Sequence, residues 1–425
     1  MSRSVDPRLN APMALDTHQQ DKSGLDVAQL RADTLGCTEV VHLNNAGSAL
    51  PPFVVVDTMV EHLRLEEMIG GYEAHARAGD RINTVRDSIG ALLDTSGSNI
   101  ALSTSATDSW DRAFVAIKFA SDYGPDTKIL ASSSEYASNV LPVMQLSRHL
   151  GVQLEFIPDD ETGVTDVGAL ESMLDDNVAA VLINHCPSQN GLINPVAAIG
   201  HALARAQSNA WYLVDACQSV GQLPVDAVAV GADFLSVTGR KFVRGPRGTG
   251  FMYCSPRALS ELEPFPADLF GTTWTPEGYT MLSDARRFEA WEKSYAAVLG
   301  LGAAVDYSLA LGMDAISTRI EFLSGALRSM LAEVPGVAVL DRGVDKSGIV
   351  TFNHESVEAA EIVAALKNAG INVSVGTPEY SQVDYIAHGV SSLVRVSPHV
   401  FNTVEELERC VEIVSDRTGS ATAQY

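Results

Sequence analysis

The chain has 425 residues, enough to bury a large core in two or three domains, or in one large and one small domain. Its net charge of −24, from 53 acidic and 29 basic residues, disfavours nucleic acid and anionic lipid as partners. A hydrophobic content of 46%, a mean hydropathy of +0.07 and the lack of an apolar run of about 18 residues predict a soluble globular enzyme without a membrane span.

The N-terminus lacks the apolar segment of a secretory signal. Residues 1–40 are predicted to form an N-terminal arm that is partly disordered over Met1–Asp26. The five cysteines are scattered and contain no CxxC pair, which predicts a reducing cytoplasm and neither a disulfide framework nor a metal site.

Short apolar runs alternate with helical patterns from about residue 41 to 255, and a large domain is expected over residues 41–295. The predicted strands are Lys128–Ser132, Gln153–Ile157, Ala179–Ile183, Trp211–Val214, Phe234–Val237 and Gly250–Tyr253. Near-continuous apolar strands separated by helices predict a mostly parallel sheet covered on both faces. Ligands bind such sheets at the carboxyl ends of the strands, where the polar clusters of this chain fall.

The C-terminal part, residues 296–425, is predicted to be a smaller α+β domain. A long helix, Phe288–Leu311, is expected to link it to the large domain. The other predicted elements are helices Arg319–Leu331 and Val357–Asn368 and strands Val337–Leu340, Ile349–Phe352, Ile371–Val375 and Leu393–Ser397. Thr403 and Glu406 fit a capping box that opens a final helix.

Two polar residues that follow buried strands predict a cofactor site. Lys241, one of only seven lysines, lies between an apolar run and a Gly/Pro-rich turn. A lysine in such a site can lose its proton and condense with an aldehyde, as in enzymes that use pyridoxal 5′-phosphate (PLP). Asp215 ends the preceding apolar run, and an aspartate there can keep a pyridine nitrogen protonated.

Four further clusters are candidates for the same site. Ser103–Asp108 opens a predicted helix, Ser109–Ala120, whose N-terminus can bind phosphate. Tyr136 follows a predicted strand and can stack on a cofactor ring or act as an acid or base. Taken alone, the first cluster is better explained as an ordinary helix cap, and Tyr136 is equally well explained as a loop tyrosine. Arg395, inside an apolar strand, is suited to grip a carboxylate, and the turn Asn44–Gly47 can lie beside a bound amino acid.

At Asp215-Ala216-Cys217-Gln218, at Thr238-Gly239-Arg240-Lys241 and at Arg395, the sequence resembles the class V aminotransferase family of fold-type I PLP enzymes. The resemblance covers about residues 40 to 415, and the family includes cysteine desulfurases, isopenicillin N epimerase and related lyases. It implies an α/β fold with a mostly parallel seven-stranded sheet in the large domain, a smaller α+β domain, and a homodimer.

The resemblance also implies a role for each candidate residue. Lys241 is expected to bind PLP covalently and to move the substrate proton, and Tyr136 to stack on the ring as a second catalytic residue. The other implied cofactor contacts are Asp215 at the ring nitrogen, Gln218 and Ser188 near the ring hydroxyl, and Ala106, Thr107 and Thr238 at the phosphate. Arg395, with Asn45 nearby, is expected to bind an amino-acid substrate.

Departures from the desulfurase pattern guide the prediction of the reaction. Arg240 stands where desulfurases have a histidine, and Tyr136 where a stacking histidine is common. The loop from Gly376 to Val390 contains no cysteine, whereas desulfurases take up sulfur as a persulfide on a cysteine in that loop. Cys410, on the last predicted helix, is a poor substitute. Persulfide-forming desulfuration is therefore expected to be less favoured.

The tyrosine motif, the glycine-rich run around Lys241 and the segment Arg287–Glu292 resemble the epimerase and sulfoxide-lyase branch of the family. The expected function is therefore a C–S β-lyase acting on a cysteine conjugate or a cysteine sulfoxide. An aminotransferase or an amino-acid epimerase is the alternative, because both share the steps up to the carbanion. A non-catalytic scaffold is disfavoured, because Lys241, Asp215 and Arg395 would be costly to bury without a ligand.

Overall fold

A seven-stranded sheet forms the centre of the larger part of the molecule, in a computed structural model that describes residues 20–422. The strands of all the sheets in the described residues are β1 (Val41–His42), β2 (Ile100–Ser103), β3 (Lys128–Ser132), β4 (Gln153–Ile157), β5 (Val178–Asn184), β6 (Trp211–Asp215), β7 (Phe234–Thr238), β8 (Gly250–Cys254), β9 (Thr272–Thr275), β10 (Gly278–Met281), β11 (Val337–Val339), β12 (Val350–His354), β13 (Ile371–Asn372), β14 (Ser374–Gly376) and β15 (Leu393–Val396). The predicted disorder over Met1–Asp26 falls mainly outside the described residues.

The helices surround this sheet and a second, smaller one. They are α1 (Val27–Ala32), α2 (Phe53–Ile69), α3 (Gly71–Leu92), α4 (Ala106–Phe119), α5 (Ala137–Leu150), α6 (Val167–Met173), α7 (Val196–Arg205), α8 (Ala227–Val230), α9 (Pro256–Glu261), α10 (Tyr295–Leu311), α11 (Met313–Ala332), α12 (Ala359–Asn368), α13 (Gln382–Ala387) and α14 (Val404–Thr422). The predicted boundary between the large and small domains falls at the first residue of α10.

The large sheet has the strand order β2-β8-β7-β6-β5-β3-β4. β4, β3, β5, β6 and β7 are parallel, and β8 is antiparallel to both of its neighbours. Along β6, Tyr212 and Val214 pack into one apolar core while Trp211 and Leu213 pack into the other, because successive side chains point to opposite faces. The prediction of a mostly parallel seven-stranded sheet buried on both faces is confirmed.

The smaller part of the fold is built on a four-stranded antiparallel sheet with the order β11-β12-β15-β14. Helices α11, α12 and α14 cover it, and Leu327, Phe352 and Val394 belong to their common core. The capping box of α14 is confirmed, because Thr403 Oγ1 accepts from the N–H of Glu406 and Glu406 Oε2 accepts from the N–H of Thr403, both at 3.3 Å.

Two predicted elements were wrong in extent. The helix expected over Phe288–Leu311 begins only at Tyr295, because the side chain of Ser294 caps it by accepting from the N–H of Ala297. The strand expected over Ile371–Val375 is divided, since β13 pairs with β1 whereas β14 pairs with β15 in the four-stranded sheet.

Within residues 20–422, no individual helix has the length and apolar character needed to cross a membrane. Helices α10 and α11 reach the length and apolar composition of a membrane span only when they are taken together, and they meet at an angle of 82°.

Candidate active site

A cavity lies at the carboxyl ends of β6 and β7. It is lined by Ser105, Ala106, Thr107, Tyr136, Asn139, Asn184, Ser188, Asp215, Cys217, Gln218, Thr238, Arg240 and Lys241. This lining includes every residue predicted from the sequence to contact a cofactor. The sheet topology explains the convergence, because the ends of adjacent parallel strands meet at one edge.

Asp215 is the buried anion of the cavity. Its Oδ1 accepts from the N–H of Cys217 and its Oδ2 accepts from Nδ2 of Asn139, both at 2.9 Å. Burial raises the pKa of the Asp215 carboxyl, and the charge of Lys241 acts in the opposite direction. A protonated ring nitrogen beside this carboxylate would stabilise its ionised form.

A second buried carboxyl, Glu135, lies behind Asp215 and was missed in the sequence. Asn139 Nδ2 donates to Glu135 Oε1 at 2.7 Å as well as to Asp215, so one amide group joins the two carboxyls. Burial, with the charge of Asp215 adding to it, raises the pKa of Glu135 to about 8. Glu135 and Asn139 are four residues apart at the start of α5, and this spacing was the available signal that they share a face.

Lys241 lies in the turn after β7, with its amine next to a thiol. Nζ of Lys241 donates to Sγ of Cys217 at 3.4 Å. The turn is fixed by Arg244, whose N–H donates to the carbonyl of Lys241 and whose φ of 63° is in the left-handed region that non-glycine residues rarely adopt. The buried Arg244 guanidinium donates to the carbonyl of Leu50 and to Oγ1 of Thr34.

The N-terminus of α4 forms an anion-binding end of the cavity. Ser105 caps the helix by accepting from the N–H of Asp108, and Ala106 and Thr107 follow in the first turn, where N–H groups have no partner within the helix. Gly250 on the neighbouring β8 permits this arrangement, since a Cβ there would come within 2.6 Å of the Ser105 backbone. A phosphate fits this end.

Arg395, on β15, reaches the rim of the cavity. Its Nη1 donates to the carbonyl of Ser188 at 2.8 Å and its Nη2 donates to Oδ1 of Asn44 at 3.3 Å. Burial lowers the pKa of this guanidinium to about 10, so it remains a cation at neutral pH. Its bonding partners are neutral groups, and its Nε has no partner in the described part of the chain.

The turn at residues 44–47 contacts Arg395 through Asn44. Asn45, the predicted substrate contact, is fully buried, and its Nδ2 donates to the carbonyl of Ser397 at 2.8 Å. Asn44 is the residue that contacts Arg395. The bridge between Asn44 and Ser397 ties this turn to the end of β15.

Tyr136 lies under the segment Gly376–Val390, which joins β14 to β15. The rings of Tyr136 and Tyr380 are nearly parallel, with centroids 6.4 Å apart. Ser381 Oγ donates to the carbonyl of Glu135 at 3.1 Å. Burial is the main cause that raises the pKa of the Tyr136 hydroxyl. The segment therefore closes over the mouth of the cavity at this residue.

The arrangement fits PLP by the chemistry of its groups. Asp215 is suited to the ring nitrogen, the amine of Lys241 to the aldehyde, and the N-terminus of α4 to the phosphate. Gln218 is buried and its Oε1 has no hydrogen-bond donor among the described residues, although its Nε2 donates to Ala46. A ring hydroxyl would satisfy that oxygen. Residue by residue, these assignments remain predictions.

The family model described as "Aminotransferase class-V" matches residues 41–410. A cysteine desulfurase of Enterobacter sp. is 30% identical over 413 residues, covering 91% of this chain and 96% of that protein. A probable cysteine desulfurase of Methanothermobacter thermautotrophicus is 29% identical over 388 residues, covering 89% of this chain and 95% of that protein.

Solved structures share the fold. The apo structure of a cysteine desulfurase from Thermococcus onnurineus NA1 has a TM-score of 0.85 at 24% identity, covering 92% of this chain and 98% of that one. A C-DES mutant with glycine covalently linked to its PLP cofactor has a TM-score of 0.81 at 21% identity, covering 91% and 99%. Together with the family match, these findings identify PLP as the cofactor of this chain.

The reaction predicted from the sequence was wrong. The expected C–S β-lyase on a cysteine conjugate or sulfoxide, and the lower rank given to persulfide formation, are overturned by full-length relatives that are named cysteine desulfurases. The error came from the weight given to the absence of a cysteine between Gly376 and Val390. Cys217, in the turn that follows β6, lines the cavity itself.

Proposed function

The chain belongs to the class V aminotransferase family, and we propose that it is a PLP-dependent cysteine desulfurase that removes the sulfur of L-cysteine and releases L-alanine. The structural observation that carries the proposal is Arg395, a buried guanidinium with neutral partners and an unpartnered Nε at the rim of the cavity. A buried cation of this kind is costly unless an anion completes it. The α-carboxylate of an amino acid supplies that anion in a bidentate contact.

The choice of cysteine as the amino acid is supported by the curated relatives, which are named cysteine desulfurases and match almost the whole length of both chains.

Four of the candidate residues have distinct tasks in this reaction. PLP, when bound, supplies an electron sink for the bond that breaks at Cα. Lys241 Nζ removes the proton from the substrate Cα and can return it to carbon. Asp215 holds the positive charge of the ring nitrogen in place, and Arg395 orients the substrate by its carboxylate. Tyr136 shields the mouth from water, and its hydroxyl can give a proton to the departing group.

The test is the stoichiometry of the products. The purified holoenzyme is incubated with L-cysteine and dithiothreitol, and alanine, sulfide, pyruvate and ammonia are measured. Desulfuration gives alanine and sulfide in equal amounts, without pyruvate. Pyruvate and ammonia as the main products would contradict the proposal, since they report β-elimination. The variant Lys241→Ala serves as the inactive control.

We also propose that the protein is a cytoplasmic homodimer that binds neither nucleic acid nor membrane. The net charge of −24 supports the absence of nucleic-acid and membrane binding. The five free cysteines support a reducing compartment. The homodimer is supported by a row of exposed apolar side chains on α2, which comprises Phe53, Val54, Val56, Val60, Leu63 and Met68. Light scattering of the purified protein measures the mass of the particle and so tests the dimer.

A further inference from the structure

We propose that Asn139 is a positioning residue of the cofactor site. Its amide links two buried carboxyls, Asp215 and Glu135, so that Glu135 keeps a proton and Asp215 meets the ring nitrogen of PLP as the ionised partner. These two residues form the carboxyl pair. The inference concerns how the chain holds PLP and not the reaction that follows, so it can be tested without an amino-acid substrate.

Asn139 is buried against the carboxyl pair, and both N–H bonds of its amide are in use. Its Nδ2 donates to Glu135 Oε1 at 2.7 Å and to Asp215 Oδ2 at 2.9 Å. A primary amide has two N–H bonds, so these contacts fix the direction that the amide faces. The backbone is held too, because the N–H of Asn139 donates to the carbonyl of Tyr136 at 2.9 Å. Asn139 therefore holds Asp215 Oδ2 in one direction.

The negative charge of the carboxyl pair belongs on Asp215. Two buried carboxyls that share one donor repel each other when both are ionised, so one of them keeps a proton. The hydrogen-bond partners of Glu135 are neutral groups of Asn139, Tyr136 and Ser132. The charge of Lys241, by contrast, favours the ionised form of Asp215. Burial, together with the charge of Asp215, raises the pKa of Glu135 to about 8.

The proton on Glu135 has a defined place. Its Oε1 accepts from both Asn139 Nδ2 and the N–H of Tyr136, which leaves Oε2 to carry the proton. Ser132 Oγ lies 3.1 Å from Oε2, and a hydroxyl can accept as well as donate. The neutral carboxyl of Glu135 thus has a partner for each of its oxygens.

The other titratable groups around the carboxyl pair support this distribution of charge. They are Lys241, Cys217, Cys186, His185 and Tyr136. Burial raises the pKa of the two thiols and of the Tyr136 hydroxyl, and it lowers the pKa of His185 to about 4. These four groups are therefore neutral at pH 7, and the cation that acts on the pair is Lys241, through Asp215.

The consequence of this arrangement is a stable positive charge on the cofactor ring. The N–H of Cys217 fixes Asp215 Oδ1, and Asn139 fixes Oδ2. Both donors stabilise the ionised carboxyl, and a protonated ring is the better electron sink. Without Asn139 the carboxyl of Asp215 becomes more basic. The proton between Asp215 and the ring nitrogen should then move towards Asp215.

The experiment is ¹⁵N NMR of the holoenzyme loaded with PLP labelled at the ring nitrogen, since the chemical shift of that atom reports whether it carries a proton. We expect a protonated ring nitrogen in the wild type at pH 7. In Asn139→Ala the signal should move towards the unprotonated position, and Kd for PLP should rise about 10-fold, the effect of one lost hydrogen bond to a charged group. Asn194→Ala is the matched control, because Nδ2 of this buried residue donates to the carbonyl of Asn184 and not to Asp215.

Glu135→Gln tests where the proton of the carboxyl pair lies. Glutamine has the shape of a protonated glutamate and can accept from Asn139 and donate to Ser132, so this variant should keep the wild-type ¹⁵N signal and PLP affinity. The infrared difference spectrum between the wild type and Glu135→Gln should contain the band of a protonated carboxyl at pH 7. A changed ¹⁵N signal in Glu135→Gln, or a carboxylate band in its place, would overturn the proposal.

An unchanged ring signal in Asn139→Ala would overturn it as well. Asn139→Ser, whose single O–H cannot donate to both carboxyls, gives the same readout if the alanine variant does not fold. None of these measurements uses L-cysteine, so the role of Asn139 stands or falls separately from the proposed function.

Discussion

The two walls of the cavity are held in place by different kinds of interaction. The strand-end wall, residues 215–218 and 238–241, follows directly from two buried parallel strands whose backbones are paired within the sheet. The loop wall, residues 376–390, is attached by side chains: Ser381 donates to the carbonyl of Glu135, Asp384 pairs with Arg342, and Tyr385 donates to Gln189. A wall fixed by the sheet suits groups that must hold their position, whereas one attached by single contacts suits the control of access.

The largest expected effect is on the strand-end wall, from Lys241→Ala. The variant should lose about 10⁴-fold or more in turnover, because the amine that binds the cofactor and moves the Cα proton is removed. The absorbance of covalently held PLP should disappear, while the thermal unfolding midpoint of the cofactor-free protein stays near that of the wild type. A borohydride-reduced wild-type enzyme with the pyridoxyl group on another lysine would contradict the assignment.

Arg395→Ala should have the second-largest effect, since Arg395 lies at the rim between the two walls. Loss of a charge-assisted contact with the substrate carboxylate costs about 2–4 kcal/mol, which corresponds to a fall of about 30-fold to 10³-fold in kcat/KM, mainly through KM. The PLP spectrum should be unchanged, because the proposed partner is the substrate. Arg395→Lys is the matched control and should recover part of the loss. Failure of the Ala variant to hold PLP would assign Arg395 to the cofactor.

Glu135→Gln tests the carboxyl behind the strand-end wall through pH. The pKa of Glu135 is raised to about 8 by burial, whereas an unfolded glutamate has a pKa of 4.5. Between these values the unfolded state has lost the proton and the folded state retains it, so the free energy of unfolding falls as pH rises, by up to about 1.4 kcal/mol per pH unit. This contribution is complete below pH 4.5 and is lost by pH 8.

The glutamine variant keeps the shape of the side chain but cannot ionise. Its free energy of unfolding should therefore decline less between pH 6 and pH 8 than that of the wild type, as measured by urea titration of the two proteins at each pH. Equal slopes for both proteins would show that Glu135 does not hold its proton in the folded state.

The smallest effect is expected in the loop wall, from Ser381→Ala. Removal of the hydrogen bond from Ser381 to the carbonyl of Glu135 should weaken the attachment of this segment by about 0.5–1.5 kcal/mol. KM for L-cysteine should change by a few-fold, with kcat and the PLP spectrum preserved. Ser260→Ala, at an exposed position on α9, provides a surface control. A loss as large as that of Arg395→Ala would show that the loop wall takes part in the chemistry.

The same contrast explains how much could be predicted from the sequence. Strand ends such as Asp215 and Thr238 could be located because a buried strand has a continuous apolar pattern and its end is marked by polar residues. The confirmed fold class follows from the same pattern. The spacing of Glu135 and Asn139 indicates a shared face, but no local pattern records the bond from Asn139 to Asp215 on β6.

The reaction could not be predicted from local sequence patterns for a related reason. Lys241, Asp215 and Arg395 suit every reaction of the family up to the carbanion, so their pattern does not distinguish a lyase from a desulfurase. Similarly, the division between β13 and β14 depends on which neighbouring strand each one pairs with, and a single apolar run contains no information about its partners.

Arg244 joins the cofactor turn to the beginning of the described chain. One side of this residue supports the carbonyl of Lys241, and the other holds Leu50 and Thr34. We expect loading of the cofactor to stabilise the docking of the segment around α1, and any such coupling is reciprocal in free energy. In hydrogen exchange, amides near Thr34 should become slower to exchange when PLP binds, although they lie on a different segment of the chain. Equal exchange rates with and without PLP would show that the N-terminal segment does not sense the occupied cavity.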